Sequence, residues 1–378
     1  MDSTDLPTTA TVNRETAPGM QLVSLKSSSI EELFITADLR GRDLAGVVQN
    51  VMNVVKDKNA TVVTQTIFAP MGQDNSSVSE GKEAIGECDW PVTWIDSGHR
   101  NGSPLGGMHI HAVSGADIER IILDDRTVGS VFQDDSARYC YLGDLWSGDR
   151  SASRTEQADQ TFDMMEAAIK LGGMEFSNIV RTWLYLDELL QWYDPFNRVR
   201  DDFFRQRGVF DALVPASTGI SGANPAGAAV IAGAMGVQVL NDSVTASPLP
   251  SPLQCPALEY GSSFSRAIEL SQPHCKRVVV SGTASIEPGG KTVYLDDVPG
   301  QIDLTMRVVF AILESRGASW SDVTRAIAYF KCEQYRQDYV KYCDENEIPD
   351  MPTIITENDI CRDDLLFEIE LDAIVSAK

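Results

Sequence analysis

The sequence predicts an α+β fold assembled from repeats of one unit, with helices covering one face of each mixed sheet. Two observations carry this expectation. Gln157–Asp187 falls on Gln301–Lys331 without a gap, and Gln157/Gln301, Asp159/Asp303, Thr161/Thr305, Ala167/Ala311, Gly173/Gly317, Ser177/Ser321, Arg181/Arg325 and Tyr185/Tyr329 are identical. Each copy also runs from an apolar strand ending in glycine (Tyr139–Gly143, Val278–Gly282) into an acidic-started helix and a further strand. A fainter copy lies upstream, where Leu33–Ala37 and Thr61–Phe68 read as strands and Asp43–Val55 as a helix. The expected units are 28–132, 133–247 and 256–378, each reading strand, strand, helix, strand, helix, strand. The Pro/Ser-rich stretch 248–255 reads as a linker and the polar residues 1–27 as a flexible tail.

The charge balance narrows the function. Lys and Arg number 31 against 55 Asp and Glu, a net charge of −24 across 378 residues. Such a field repels phosphate backbones and anionic lipid, so neither nucleic acid nor a membrane surface is expected as a partner. A small anionic ligand would need a local basic pocket. The seven cysteines include no CxxC pair and suggest no disulfide framework, which fits a reducing cytoplasm. No run of about 18 apolar residues predicts a membrane helix, and the N-terminus has no targeting pattern. Without GxGxxG, P-loop, GxSxG or HExxH patterns, no nucleotide cofactor or hydrolase elbow is expected. His109 and His111 share a strand face but lack further ligands at recognisable spacing, so no metal is expected.

Three stretches carry candidate chemistry. In Val180–Asp187, alternation sends Val180, Thr182, Leu184 and Leu186 to a helix-packing face and Arg181, Trp183 and Tyr185 to the other. The second face suits either an interface between units or a ligand wall. Asp194-Pro195 and Gly208 bracket an expected helix over 195–207, with Phe196, Val199, Phe203 and Phe204 as its apolar stripe. Arg200 and Arg207 fall inside that stripe, where a guanidinium must snorkel, pair with a carboxylate or meet an anionic ligand. In Leu365–Leu371, Phe367, Ile369 and Leu371 share one face, and Glu368 and Glu370 share the other. Two adjacent carboxylates disfavour joint ionisation, and burial would raise one pKa further, the condition for a general acid at neutral pH. A solvated polar face is the alternative.

The segment Ser281–Ser285 (SGTAS), the repeated helix with its Arg-bearing strand, and the terminal Phe367–Val375 resemble the RidA family, also known as YjgF or L-PSP endoribonuclease-like proteins. This resemblance implies chorismate-mutase-like units arranged as in a trimer, here fused into one chain, with sites between units. The chain would then be a pseudo-trimeric monomer or a homo-trimer. The longer layout is similar to the chorismatases, through Arg181-Thr182-Trp183, Pro215–Ile220 (including Thr218 and Gly219) and Cys361–Glu370 in the same order. Chorismatases release the enolpyruvyl group of chorismate as pyruvate without metal or cofactor. The resemblance implies Glu368 as the acid that protonates the methylene carbon. Cys361 stands where the family has cysteine or alanine, the cysteine form being that of the hydroxybenzoate-forming branch. Arg181 and Arg200 would hold substrate carboxylates, with Tyr185, Thr218 and Gly219 nearby, and Lys341 lies nearest a further expected anion-binding arginine. The alternatives are a RidA-type enamine/imine deaminase, although Thr353 stands where that chemistry uses arginine, or a metabolite-binding protein without catalysis.

Overall fold

The computed structural model describes residues 10–27, 29–71, 75–98 and 105–376. The first unit runs β1 (Thr11–Ala17), β2 (Met20–Lys26), β3 (Glu31–Asp38), α1 (Leu44–Asp57), β4 (Thr61–Phe68), α2 (Ser76–Ile85), β5 (Val92–Ile95) and β6 (Gly107–Ser114). The second runs β7 (Glu119–Leu123), β8 (Arg126–Gln133), β9 (Ala137–Leu145), α3 (Arg154–Leu171), β10 (Ile179–Leu186), α4 (Tyr193–Gln206), β11 (Ala216–Ser221) and β12 (Val230–Val239). The third runs β13 (Thr245–Leu249), β14 (Ala267–Ser271), β15 (Cys275–Ala284), α5 (Val298–Glu314), β16 (Val323–Phe330), α6 (Arg336–Glu345), β17 (Thr353–Glu357) and β18 (Phe367–Ser376).

Each unit forms a six-stranded sheet with one topology: β1-β2-β3-β6-β4-β5, repeated as β7-β8-β9-β12-β10-β11 and β13-β14-β15-β18-β16-β17. The crossover pairs β4·β5, β10·β11 and β16·β17 are parallel and the other pairs antiparallel, so each sheet is mixed. The first helix of every unit is started by a side-chain cap, from Asp43, Ser153 or Asp297, that accepts a hydrogen bond from an orphan amide of the first turn. Each sheet buries one face against its two helices. In the second unit Phe162 of α3 packs on Phe196, Phe203 and Phe204 of α4.

The other faces of the three sheets meet one another around a pseudo-three-fold axis. Val63, Val113, Tyr139, Val180, Met235, Ile268 and Val279 form one buried cluster drawn from all three units, and Phe68, Tyr185, Ile231, Ile327 and Tyr329 contribute to a second. Equivalent strands make the junctions: β5 lies on β9, β11 on β15 and β17 on β3. The ends of these strands and the connections that follow them bond to each other, with Asp96 N donating to Ala223 O at 2.9 Å, Ser221 N to Asp359 O at 2.9 Å and Gly98 N to Glu357 O at 3.0 Å.

Several expectations change. Residues 11–26 form the hairpin β1–β2 rather than a flexible tail, because Leu22, Val23 and Leu25 are buried in the molecule; residues 1–9 of that expected tail lie outside the described residues. The hairpin β7–β8 belongs to the second sheet, although it lies mostly within the segment assigned to the first unit. Thr245–Leu249 is a strand that reaches into the expected linker. Each unit also has a third opening strand and a short strand after its second helix, neither of which the repeat pattern revealed. Helix α4 starts at Tyr193, so Asp194 sits in its first turn instead of capping it. A bulge between Ile179 and Arg181 turns Val180 to the central cluster, away from the helix-packing face assigned by strict alternation.

Candidate functional site

The same bulge recurs in the penultimate pairing of every sheet, between Val62 and Thr64, Ile179 and Arg181, and Val323 and Arg325. Four residues beyond it come Phe68, Tyr185 and Tyr329, whose cross-strand partners are Gly107, Ile231 and Glu368. Of these three equivalent positions, only the one on β18 carries an acid.

Phe367, Ile369 and Leu371 pack into the helix-side core of the third unit, which fixes Glu368 and Glu370 on the opposite face. That face is not solvated: Glu368 is 5% exposed and Glu370 fully buried. Glu370 is clamped. Arg181 Nη2 donates to its Oε2 at 2.7 Å, Trp183 Nε1 donates to its Oε1 at 2.9 Å, and Arg325 Nη2 also bonds Oε1. Burial works against its ionisation, yet Arg181 and Arg325 outweigh that and hold the carboxyl below its ordinary range. Glu368 has no such partner among the described residues. Burial, then the charge of Glu370, push its carboxyl up to about 8 against the weaker pull of Arg181 and Arg266. At neutral pH Glu368 therefore carries its proton and Glu370 does not.

Glu368 faces a cavity of about 210 Å³ at the β11–β15 junction. Gly282 forms the wall beside it, and a Cβ there would collide with the Glu368 carboxylate. Thr218 Oγ1 joins the two units by accepting from Gly282 N at 3.0 Å and from Arg181 Nη2 at 2.6 Å. Three guanidinium groups line the cavity, those of Arg200, Arg266 and Arg362. Arg200 is buried on α4, where Nη2 bonds Asn197 Oδ1 at 2.9 Å and Nε has no partner among the described residues. Arg266 is also buried, with Nε bonded to Cys255 O at 3.0 Å and Nη2 unpartnered among the described residues. Arg362 donates Nη1 to Gly290 O at 2.8 Å. Buried guanidinium donors without acceptors are costly, and a bound carboxylate would satisfy them. Burial, then Glu368, push the Cys361 thiol up to about 12, which makes it a neutral part of the wall and not a nucleophile. Burial likewise keeps the Tyr193 and Tyr260 phenols of this cavity protonated.

Of the residues singled out in the sequence, Glu368, Cys361, Arg200 and Gly219 line this one cavity. Thr218 braces it from behind through its bonds to Gly282 and Arg181. Arg181 is not an open anion anchor, because it is fully buried and neutralised by Glu370. Tyr185 packs among Phe68, Ile231 and Tyr329 and borders a different, central cavity. Lys341 is exposed on α6 and pairs with Glu345 at 3.8 Å, away from the cavity. Arg207, the second arginine of the α4 stripe, stacks on Phe203 at 3.7 Å and bonds Glu166 and Asp163.

Sequence reasoning missed Arg266, Arg362, Tyr193 and Tyr260. Arg362 sits within the Cys361–Glu370 motif and was legible there, whereas Arg266 reaches the cavity only through tertiary packing. His109 Nδ1 lies 2.9 Å from Thr36 Oγ1 and its Nε2 3.0 Å from Ala326 O, while burial, then Arg325, bring its pKa down to about 3. His111 contacts Glu32 at 3.1 Å and stacks on Phe34. Among the described residues no group of three His, Cys, Asp or Glu side chains is placed to hold a metal. No described helix is long and apolar enough to cross a membrane.

No protein-family model matches the chain, and no curated protein matches it. Solved structures do. A chorismatase structure at 1.08 Å resolution superposes with a TM-score of 0.62 over 83% of this chain and 93% of its own, at 19% identity. An L-PSP endoribonuclease-type protein from Entamoeba histolytica matches 35% of this chain and 100% of its own, with a TM-score of 0.30 and 17% identity. A member of the YjgF/YER057c/UK114 family from Mycobacterium tuberculosis matches 35% of this chain and 100% of its own, with a TM-score of 0.28 and 24% identity. The fold is chorismatase-like.

Proposed function

We propose that this chain is a cofactor-independent enzyme that removes the enolpyruvyl group of chorismate, or of a related enol-ether dicarboxylate, as pyruvate, with Glu368 as general acid. The observation that carries this reading is a carboxyl with its pKa raised to about 8, facing a cavity that also holds three guanidinium groups. Protonating carbon demands an acid that keeps its proton at neutral pH in a dry site. The Glu368 proton goes to the terminal methylene of the enol ether, and the electron pair of the ether oxygen forms an oxocarbenium ion. Water then attacks that carbon and returns a proton to Glu368. The hemiketal collapses to pyruvate and the free alcohol, so atoms and charge balance.

Arg200, Arg266 and Arg362 would hold the two carboxylates, each carboxylate satisfying donors that are otherwise idle. Glu370 stays ionised and clamped, so its charge helps keep the proton on Glu368. The deaminase alternative loses support from the register. Thr353, Ser217 and Val92 occupy equivalent positions on β17, β11 and β5, and none is the arginine which the resemblance associates with that chemistry.

The test is incubation of the chain with chorismate, with pyruvate read by a coupled reductase. Pyruvate release is expected, and Glu368→Gln is expected to lower kcat by about 10²–10⁴-fold. Full activity of Glu368→Gln would overturn the assignment of the acid, and absence of pyruvate from well-folded protein would overturn the substrate.

A further inference from the structure

The pseudo-three-fold arrangement gives the molecule three junction clefts, and the one between the first and second units has a chemistry of its own. It matches the Glu368 cavity element by element, with α2 in the place of α4, β5 of β11, β9 of β15 and β12 of β18. Its volume is about 630 Å³. Trp90, Trp94, Val92 and Ile231 give it an apolar, largely aromatic wall, and Arg126 and Arg150 supply the polar side. Both guanidinium groups stack over the Trp146 ring, 3.8 and 4.1 Å from its centroid.

These cations are incompletely used. Arg126 gives Nη1 to the backbone oxygen and carboxylate of Asp144, at 2.8 and 3.3 Å. Arg150 gives Nε to Ala226 O at 2.7 Å and Nη1 to Ser147 O. Nη2 of both, and Nε of Arg126, make no hydrogen bond among the described residues. Lys82, Arg126 and Arg150 outnumber Asp125 and Asp144 in this lining. The cleft between the third and first units differs, since there Asp38, Asp344 and Asp350 outnumber Arg40 and Arg336. In a chain of net charge −24, an excess of cations at one junction beyond the Glu368 cavity calls for a physical reason.

We infer that this cleft is a second small-molecule site, which binds a planar aromatic carboxylate. The ring lies against the tryptophan wall, and the carboxylate meets the open edges of Arg126 and Arg150. Ile231 occupies the position that Glu368 has on β18, so the site binds without proton transfer. Its existence does not depend on the reaction proposed above.

Calorimetric titration of the full chain with benzoate tests this, with tryptophan fluorescence as the second readout. A binding event is expected that Arg150→Gln weakens by about tenfold or more and that Arg266→Gln, in the other cavity, leaves unchanged. Arg126→Lys, which keeps the charge beside Asp144 but loses the planar fork, is expected to weaken the same event. It carries the test alone if Arg150→Gln does not fold. The inference is overturned if benzoate does not bind, or if its binding is indifferent to Arg150 and Arg126 or depends only on Arg266.

Discussion

Glu368 and Glu370 stand two residues apart on one face of β18, and their neighbours drive them to opposite protonation states. Arg181, Arg325 and Trp183 converge on Glu370, and Asp372 on Arg325 completes a network of two guanidinium groups and two carboxylates whose charges balance. Glu370→Ala leaves the fully buried Arg181 without its carboxylate, while Arg325 keeps Asp372, and is expected to cost about 3–5 kcal/mol of stability. Urea unfolding at neutral pH measures this, and a loss under about 1 kcal/mol would mean that the clamp is not structural. The alternation in Leu365–Leu371 already placed both carboxylates on one face, and that much of the site was legible. Which of them would be clamped was not, because Arg181 lies 189 residues away in sequence and only the junction of two units brings it there.

The element that distinguishes the three junctions is the last strand of each unit. β6, β12 and β18 have the same register against their neighbours, and they present Gly107, Ile231 and Glu368 at equivalent places. The strand facing β18 is equally specific, because Gly282 of β15 leaves room for the carboxyl. Gly282→Ala is expected to fold, since the clash is with the end of a flexible side chain. It is expected to lower kcat by about 10²-fold by displacing the acid from the substrate. Turnover and a thermal melt of the same preparation check both halves. The repeat of Gln157–Asp187 on Gln301–Lys331 made the helix-strand core of two units readable from sequence. The edge strands were harder to see: β1, β7 and β13 have few buried residues and carry little alternation signal, so the tail, the first boundary and the linker were misplaced.

At the scale of the molecule, the three units share their interior. Asn358 shows how, since its Nδ2 donates to Asp96 O at 3.0 Å and to Ser221 O at 2.9 Å, tying one connection from each unit at the axis. Asn358→Ala is expected to cost roughly 1–3 kcal/mol for each carbonyl left unpaired, as one lowered unfolding transition. Separate transitions for separate units would contradict the shared core. The junction between the second and third units is also what keeps Glu368 away from water, so the protonation of that carboxyl reports on the whole arrangement. Infrared difference spectroscopy of the wild type against Glu368→Gln across a pH series measures it directly. The account predicts a protonated-carboxyl band at neutral pH that disappears with a midpoint near about 8 and is absent from the variant. A Glu368 carboxylate already ionised well below neutral pH would contradict it.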